Sequence, residues 1–230
     1  FQTQRNSNAT PGHPALAGPA RAPNCDMVVH DFQTQLHKSL SLNDEPDWIK
    51  FYLSIWPEML SCVRIDANSK WQKWGVDRMI LLPGGRQVFI DEKKRFPNPK
   101  TGVSYDDFLC EEWSVFQNRA GVKVGWTLDR EKRCDFIAYA IPGIGRCYLL
   151  PFELLRITAE LCLPTWKLMP RAYPKNAFNG EYVTRSCAVS WDLLFDSMRK
   201  TMTRNFGGFQ LKLPTPTMDG DKAHFQWTSP

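Results

Sequence analysis

The sequence predicts an α/β domain, a sheet with helices packed on it, and three observations carry that expectation. Gly75 to Arg95, GVDRMILLPGGRQVFIDEKKR, reads as two short apolar strands around a glycine turn. Further apolar segments of strand length and segments of helical spacing lie on both sides of it. The 230 residues are 43% hydrophobic and 13% aromatic, enough to bury one sizeable core.

In chain order, residues 1–24 are rich in Pro, Ala, Asn and Gly without apolar periodicity, and read as a disordered or extended tail. A domain follows over residues 25–205, and residues 206–230 form a second tail, broken by Pro214, Pro216 and Gly220. Within the domain, Phe32, Leu36 and Leu40 share one face of a helix over Met27 to Leu42, with Asp31 as its N-cap. Pro46 and Asp47 open a second, aromatic-dense segment, DWIKFYLSIW, suited to packing on the sheet. Met59 to Ile65 has the composition of a first strand. After the hairpin, Phe96 to Gly102 is a proline-broken loop and Tyr105 to Phe116 a helix carrying Glu111 and Glu112. Val122 to Leu128 and Asp135 to Ile141 read as strands around the polar turn Asp129 to Arg133. Tyr148 to Cys162 begins as a strand and turns helical after Pro151, since proline suits a first helical turn. Pro164 to Gly180 shows only loop signals and the cations Lys167, Arg171 and Lys175. Trp191 to Met202 closes the domain as a helix with Arg199, Lys200 and Arg204 near its end.

The hairpin is where the chemistry concentrates. Met79 to Leu82 and Val88 to Ile90 are its apolar runs, and Pro83-Gly84-Gly85 supplies the turn. Asp77 precedes the first strand, while Asp91-Glu92-Lys93-Lys94-Arg95 ends the second. Alternate residues of a strand share a face, so Asp91 goes with Lys93 and Glu92 with Lys94. Two carboxylates meeting beside a lysine suit a hard divalent cation, Mg²⁺ or Mn²⁺, with water filling its remaining positions.

This arrangement resembles the PD-(D/E)XK nuclease superfamily, the restriction-endonuclease-like fold. Its signature is an acid at one strand, then Asp or Glu, any residue, and Lys on the next. Asp77 takes the first position, and either Asp91 with Lys93 or Glu92 with Lys94 the second. Gln72-Lys73-Trp74-Gly75-Val76-Asp77-Arg78 is also similar to a segment of bacterial and phage members that precedes a DEK strand. The resemblance spans roughly residues 30 to 160. It implies a mixed central sheet flanked by helices and Mg²⁺-dependent hydrolysis of phosphodiester bonds in nucleic acid, DNA foremost. Asp77 and Asp91, or Glu92 in its place, would hold the metal, and Lys93 or Lys94 would orient the attacking water. Arg78 and Arg95 would contact phosphate, and Glu45 or Glu58 would supply an additional acid on the first helix. The alternative is a catalytically inactive protein of this fold that binds nucleic acid or a protein partner.

Two frames compete at the second strand. Ile90 gives Asp91 the apolar neighbour the family pattern favours, whereas a strict two-residue turn at Gly84-Gly85 would set Asp77 opposite Glu92. Elsewhere the sequence narrows the options. Seven scattered cysteines contain no Cys-x-x-Cys pair and read as reduced core residues. A net charge of +5 is compatible with nucleic acid. Trp71 and Trp74 offer faces on which bases could stack. With no apolar run of membrane length and no signal-type segment, the expectation is a soluble, cytoplasmic protein.

Overall fold

The computed structural model describes residues 45–206 apart from 67–68, 99, 118–119, 170–173 and 179–181. The expected helix over Met27 to Leu42 and the tail 1–24 lie outside them, and so does the tail expected over 206–230 except Phe206, which ends the last helix. Helix α1 (Glu45–Ile55) leads into β1 (Ser61–Arg64), a single turn α2 (Lys70–Lys73), and the hairpin of β2 (Arg78–Leu81) and β3 (Gln87–Lys94). Then come β4 (Phe108–Gln117), β5 (Ala120–Val124), β6 (Phe136–Ile141), β7 (Arg146–Pro151) and α3 (Phe152–Trp166). Strands β8 (Pro174–Phe178) and β9 (Val183–Val189) precede the last helix, α4 (Trp191–Phe206).

The fold is α/β with a mixed central sheet in the order β1-β2-β3-β6-β7. Strands β3 and β6 run parallel and the other neighbours antiparallel. The two faces of this sheet are packed differently, as strand alternation dictates. On β6, Ala138 and Ala140 face α1, whose Trp48, Phe51 and Tyr52 recur at helical spacing and bury against Ile80, Val88 and Ile90. Their neighbours Ile137, Tyr139 and Ile141 face the opposite way, into a core completed by α3, α4 and Phe108 and Cys110 of β4. Burying each of the three α1 aromatics stabilises the fold by about 2–3 kcal/mol. Described cysteines 62, 110, 134, 147, 162 and 187 are free thiols, buried or half-buried.

A second sheet, antiparallel and ordered β5-β4-β9-β8, was not expected from sequence. It corrects the helix anticipated over Tyr105 to Phe116, which is strand β4. Phe108 and Cys110 are buried at a spacing of two, and the strand is hydrogen-bonded on both sides. The Glu111-Glu112 pair expected on that helix instead sits at a bulge, where Glu111 pairs with Ser186 and Trp113 already with Arg185. The strand expected over Val122 to Leu128 ends at Val124, and the chain turns at Gly125, whose N–H donates to the Glu112 carbonyl. Strand β8 replaces residues 174–178 of the stretch expected to be irregular, and β9 lies beyond it.

Gly125 has no room for a side chain, because a Cβ there would overlap the backbone of Glu111 and Glu112. Gly125→Ala is therefore expected to destabilise the protein by about 1–3 kcal/mol through overpacking. A urea melt measures it, and an unchanged midpoint would mean that the turn is not pinned to β4.

Candidate active site

The turn of the hairpin decides which acids meet. Leu82 N–H donates to the Arg86 carbonyl, enclosing three residues, Pro83, Gly84 and Gly85. Both glycines take positive φ, 76° and 78°, a conformation that glycine adopts without steric cost. That additional residue sets Arg78 opposite Ile90, and one step further places Asp77 opposite Asp91. A two-residue turn would have put Asp77 opposite Glu92. Asp77, Asp91 and Lys93 thus share one face of the sheet, and Glu92 and Lys94 point to the other.

On the Asp91 face, the Asp91 carboxylate is almost fully buried and accepts from two ammonium groups, Lys93 Nζ on one oxygen and Lys132 Nζ on the other. Asp77 is held by two donors: Gln72 Nε2 reaches Oδ1 at 2.6 Å, and the backbone N–H of Glu92 reaches Oδ2 at 2.8 Å. Lys132 comes from the turn between β5 and β6 and passes over Gly75, where any Cβ would collide with it. Glu111, on β4, also acts on Lys93 electrostatically. Its Oε1 accepts from Ser114 Oγ at 2.6 Å.

Electrostatics divides the two aspartates. Burial pushes the Asp77 carboxyl up, the charge of Asp91 pushes it further, and the result is about 7 against an ordinary 3.8. Burial raises Asp91 too, but Lys93 and Lys132 outweigh it and hold that carboxyl below its usual range. For Lys93, burial works against the charge, while Asp91 and Asp77 more than restore it, so the ammonium is held above its ordinary value. Lys93 is accordingly a fixed cation near neutral pH, suited to orienting an anion or a water and unsuited to accepting a proton.

The raised Asp77 value has a consequence for stability. Between about pH 4 and pH 7 the folded protein keeps a proton that the unfolded chain has released, so stability falls as pH rises through that window. Asp77→Asn cannot ionise. In metal-free protein it is expected to raise the melting temperature by about 5 °C at pH 8 and to change it little at pH 4. Equal effects at both pH values would show that Asp77 titrates normally.

The other face holds a structural cluster. Arg78 is fully buried and donates through Nε to Glu92 Oε1 at 2.5 Å and through Nη1 and Nη2 to Glu45 at 2.5 and 2.9 Å. Tyr52 Oη donates to Glu92 at 2.9 Å. The placement of Arg78 as a phosphate contact is therefore corrected: its guanidinium is consumed inside the protein. Glu45 and Glu92 belong to that ion-pair cluster, not to the Asp91 face, and Glu58 is exposed after α1. The Lys94 ammonium lies 5.9 Å from the Trp48 ring centroid, also on the α1 side. Arg95 Nε donates to Asp107 Oδ1 at 3.0 Å. Trp71 stacks on Phe89 with centroids 4.9 Å apart, and Trp74 packs edge-on against Trp71. Glu112 pairs with Lys167 and sits 3.6 Å from Arg185.

Lys132 escaped the sequence reading because a lysine within DREKR carries no motif. Gly75, two residues before Asp77, was the signal that something approaches closely there. Among the described residues no group of three or more His, Cys, Asp and Glu converges as a ready metal cage. Two carboxylates on one sheet face are the donor type a hard divalent cation takes, and here a cation would have to displace an ammonium group from Asp91, both of whose oxygens accept from lysine. Compared with known proteins, the chain matches no family model, no curated protein and no solved structure.

Proposed function

We propose that this protein is a metal-dependent nuclease that hydrolyses phosphodiester bonds in nucleic acid, with a restriction-endonuclease-like fold. The observation that carries the proposal is the single face shared by Asp77, Asp91 and Lys93, set by the three-residue turn. It is the acid, then acid-x-lysine, arrangement of the resembling superfamily, built on adjacent antiparallel strands of a mixed sheet.

Asp77 and Asp91 would hold Mg²⁺ or Mn²⁺, which when bound supplies Lewis-acid polarisation of a phosphate oxygen and a more acidic water. The protein's own groups account for the rest. Lys93, kept protonated by its two carboxylate neighbours, would orient the attacking water and steady the negative charge developing on phosphate. Gln72 and the Glu92 N–H fix both oxygens of Asp77, so the carboxylate is pre-aimed. Lys132 balances the buried charge of Asp91 when only one lysine could be spared for substrate. Glu111 adds a weaker favourable charge that helps keep Lys93 protonated.

The test is incubation of labelled single- and double-stranded DNA and RNA with Mg²⁺, with Mn²⁺ and with chelator. Cutting that needs the metal supports the proposal. A folded protein that cuts none of them would be a binding protein on the same fold.

A further inference from the structure

Of the acid–lysine face, Lys93 lines a cleft of about 540 Å³, with the two aspartates lying behind it. Its wall takes in Lys93 and Glu111 from the site, Arg95 and Phe96 from the segment leaving β3, and Tyr105 and Trp126. Such a volume falls within the range of about 300–1,000 Å³ common to small-ligand sites, room for about one or two nucleotides.

The lining adds chemistry to the size. Phe96 lies two residues beyond the end of β3, is 44% exposed and lines the cleft. Lys93 Nζ lies 5.7 Å from the Trp126 ring centroid, and the Arg95 guanidinium 4.2 Å from that of Tyr105. Cations interleaved with aromatic faces in a groove are what a nucleic-acid strand with unpaired bases binds, phosphate on the charges and bases on the rings. Bases within a duplex present those faces to one another and cannot use such rings without leaving the stack.

We propose, on the footing of the nuclease function above, that substrate enters this cleft as a single strand, an unpaired base stacking on Phe96 and Trp126 while the adjoining phosphate meets Lys93, the ammonium that joins the cleft to Asp91. The consequence is a preference for single-stranded substrate or unpaired ends over blunt duplex.

Binding tests it separately from cutting. Full-length Asp77→Asn protein, which spares the substrate, is titrated in Mg²⁺ against a labelled single-stranded DNA and against the blunt duplex of the same sequence, with fluorescence anisotropy as the readout. The single strand is expected to bind at least about tenfold more tightly, and adding Phe96→Ala to remove about tenfold of that affinity, since one base–aromatic stack is worth that much. Phe96 is exposed, so this variant keeps its fold. Equal affinity for duplex, or single-strand affinity indifferent to Phe96→Ala, overturns the inference. Phe96-dependent binding of single strands by a protein that cuts nothing would keep the cleft and remove the nuclease function. Metal-dependent cutting of duplex without any Phe96 effect would do the reverse.

Discussion

Asp91→Asn is expected to lower metal-dependent cleavage by about a thousandfold or more. The substitution keeps the shape of the side chain and removes one of two carboxylates that would share the cation, and a metal's charge stabilisation is worth several kcal/mol. At about 1.4 kcal/mol per factor of ten, a loss near 4 kcal/mol gives that ratio. The same change leaves the ammonium groups of Lys93 and Lys132 without their common carboxylate, in a place where Lys132 is 6% exposed. Stability should therefore fall as well, and the assay belongs at a temperature where circular dichroism shows the variant folded. A folded variant within about tenfold of wild-type cleavage would remove Asp91 from the site.

The second large effect concerns stability alone. Arg78→Met is expected to cost about 3–5 kcal/mol, because it removes the guanidinium that balances the Glu92 carboxylate, which is only 11% exposed. For a domain of this size that is a fall in melting temperature of about 10 °C or more. Glu45, one-third exposed, can turn to water and loses less. Differential scanning calorimetry distinguishes this structural role from a phosphate contact. A guanidinium serving substrate would leave the melt unchanged and weaken nucleic-acid binding instead.

The sequence made the hairpin legible because its signals are local. Apolar runs of strand length, two glycines able to take positive φ, and Pro151 at the start of α3 each act within a few residues. The aromatic density of DWIKFYLSIW likewise announced its packing on the sheet, though not that the segment is the helix α1. The frame of the acids was not legible, because it depends on one residue in the turn, and Gly84-Gly85 alone fits either count. Strand β4 was misread for a different reason. Glu111 and Glu112 suit a solvated helix by propensity, and only pairing with β5 and β9, distant in sequence, makes them strand residues. The same non-local pairing hid β8 and β9. Arg78 shows the limit on charge: beside Asp77 it looks exposed, yet two glutamates 33 and 14 residues away take it into the core.

The central claim is that Asp77, Asp91 and Lys93, together on one sheet face, cut nucleic acid. Its most direct test is Mg²⁺-dependent cleavage by Lys93→Ala and Lys94→Ala, prepared and assayed in parallel with wild type. The two lysines are adjacent in sequence, equal in charge and on opposite faces. The expected result is loss of cutting in Lys93→Ala and cutting near the wild-type rate in Lys94→Ala. Cutting lost in Lys94→Ala but kept in Lys93→Ala, or kept in both, would contradict the account.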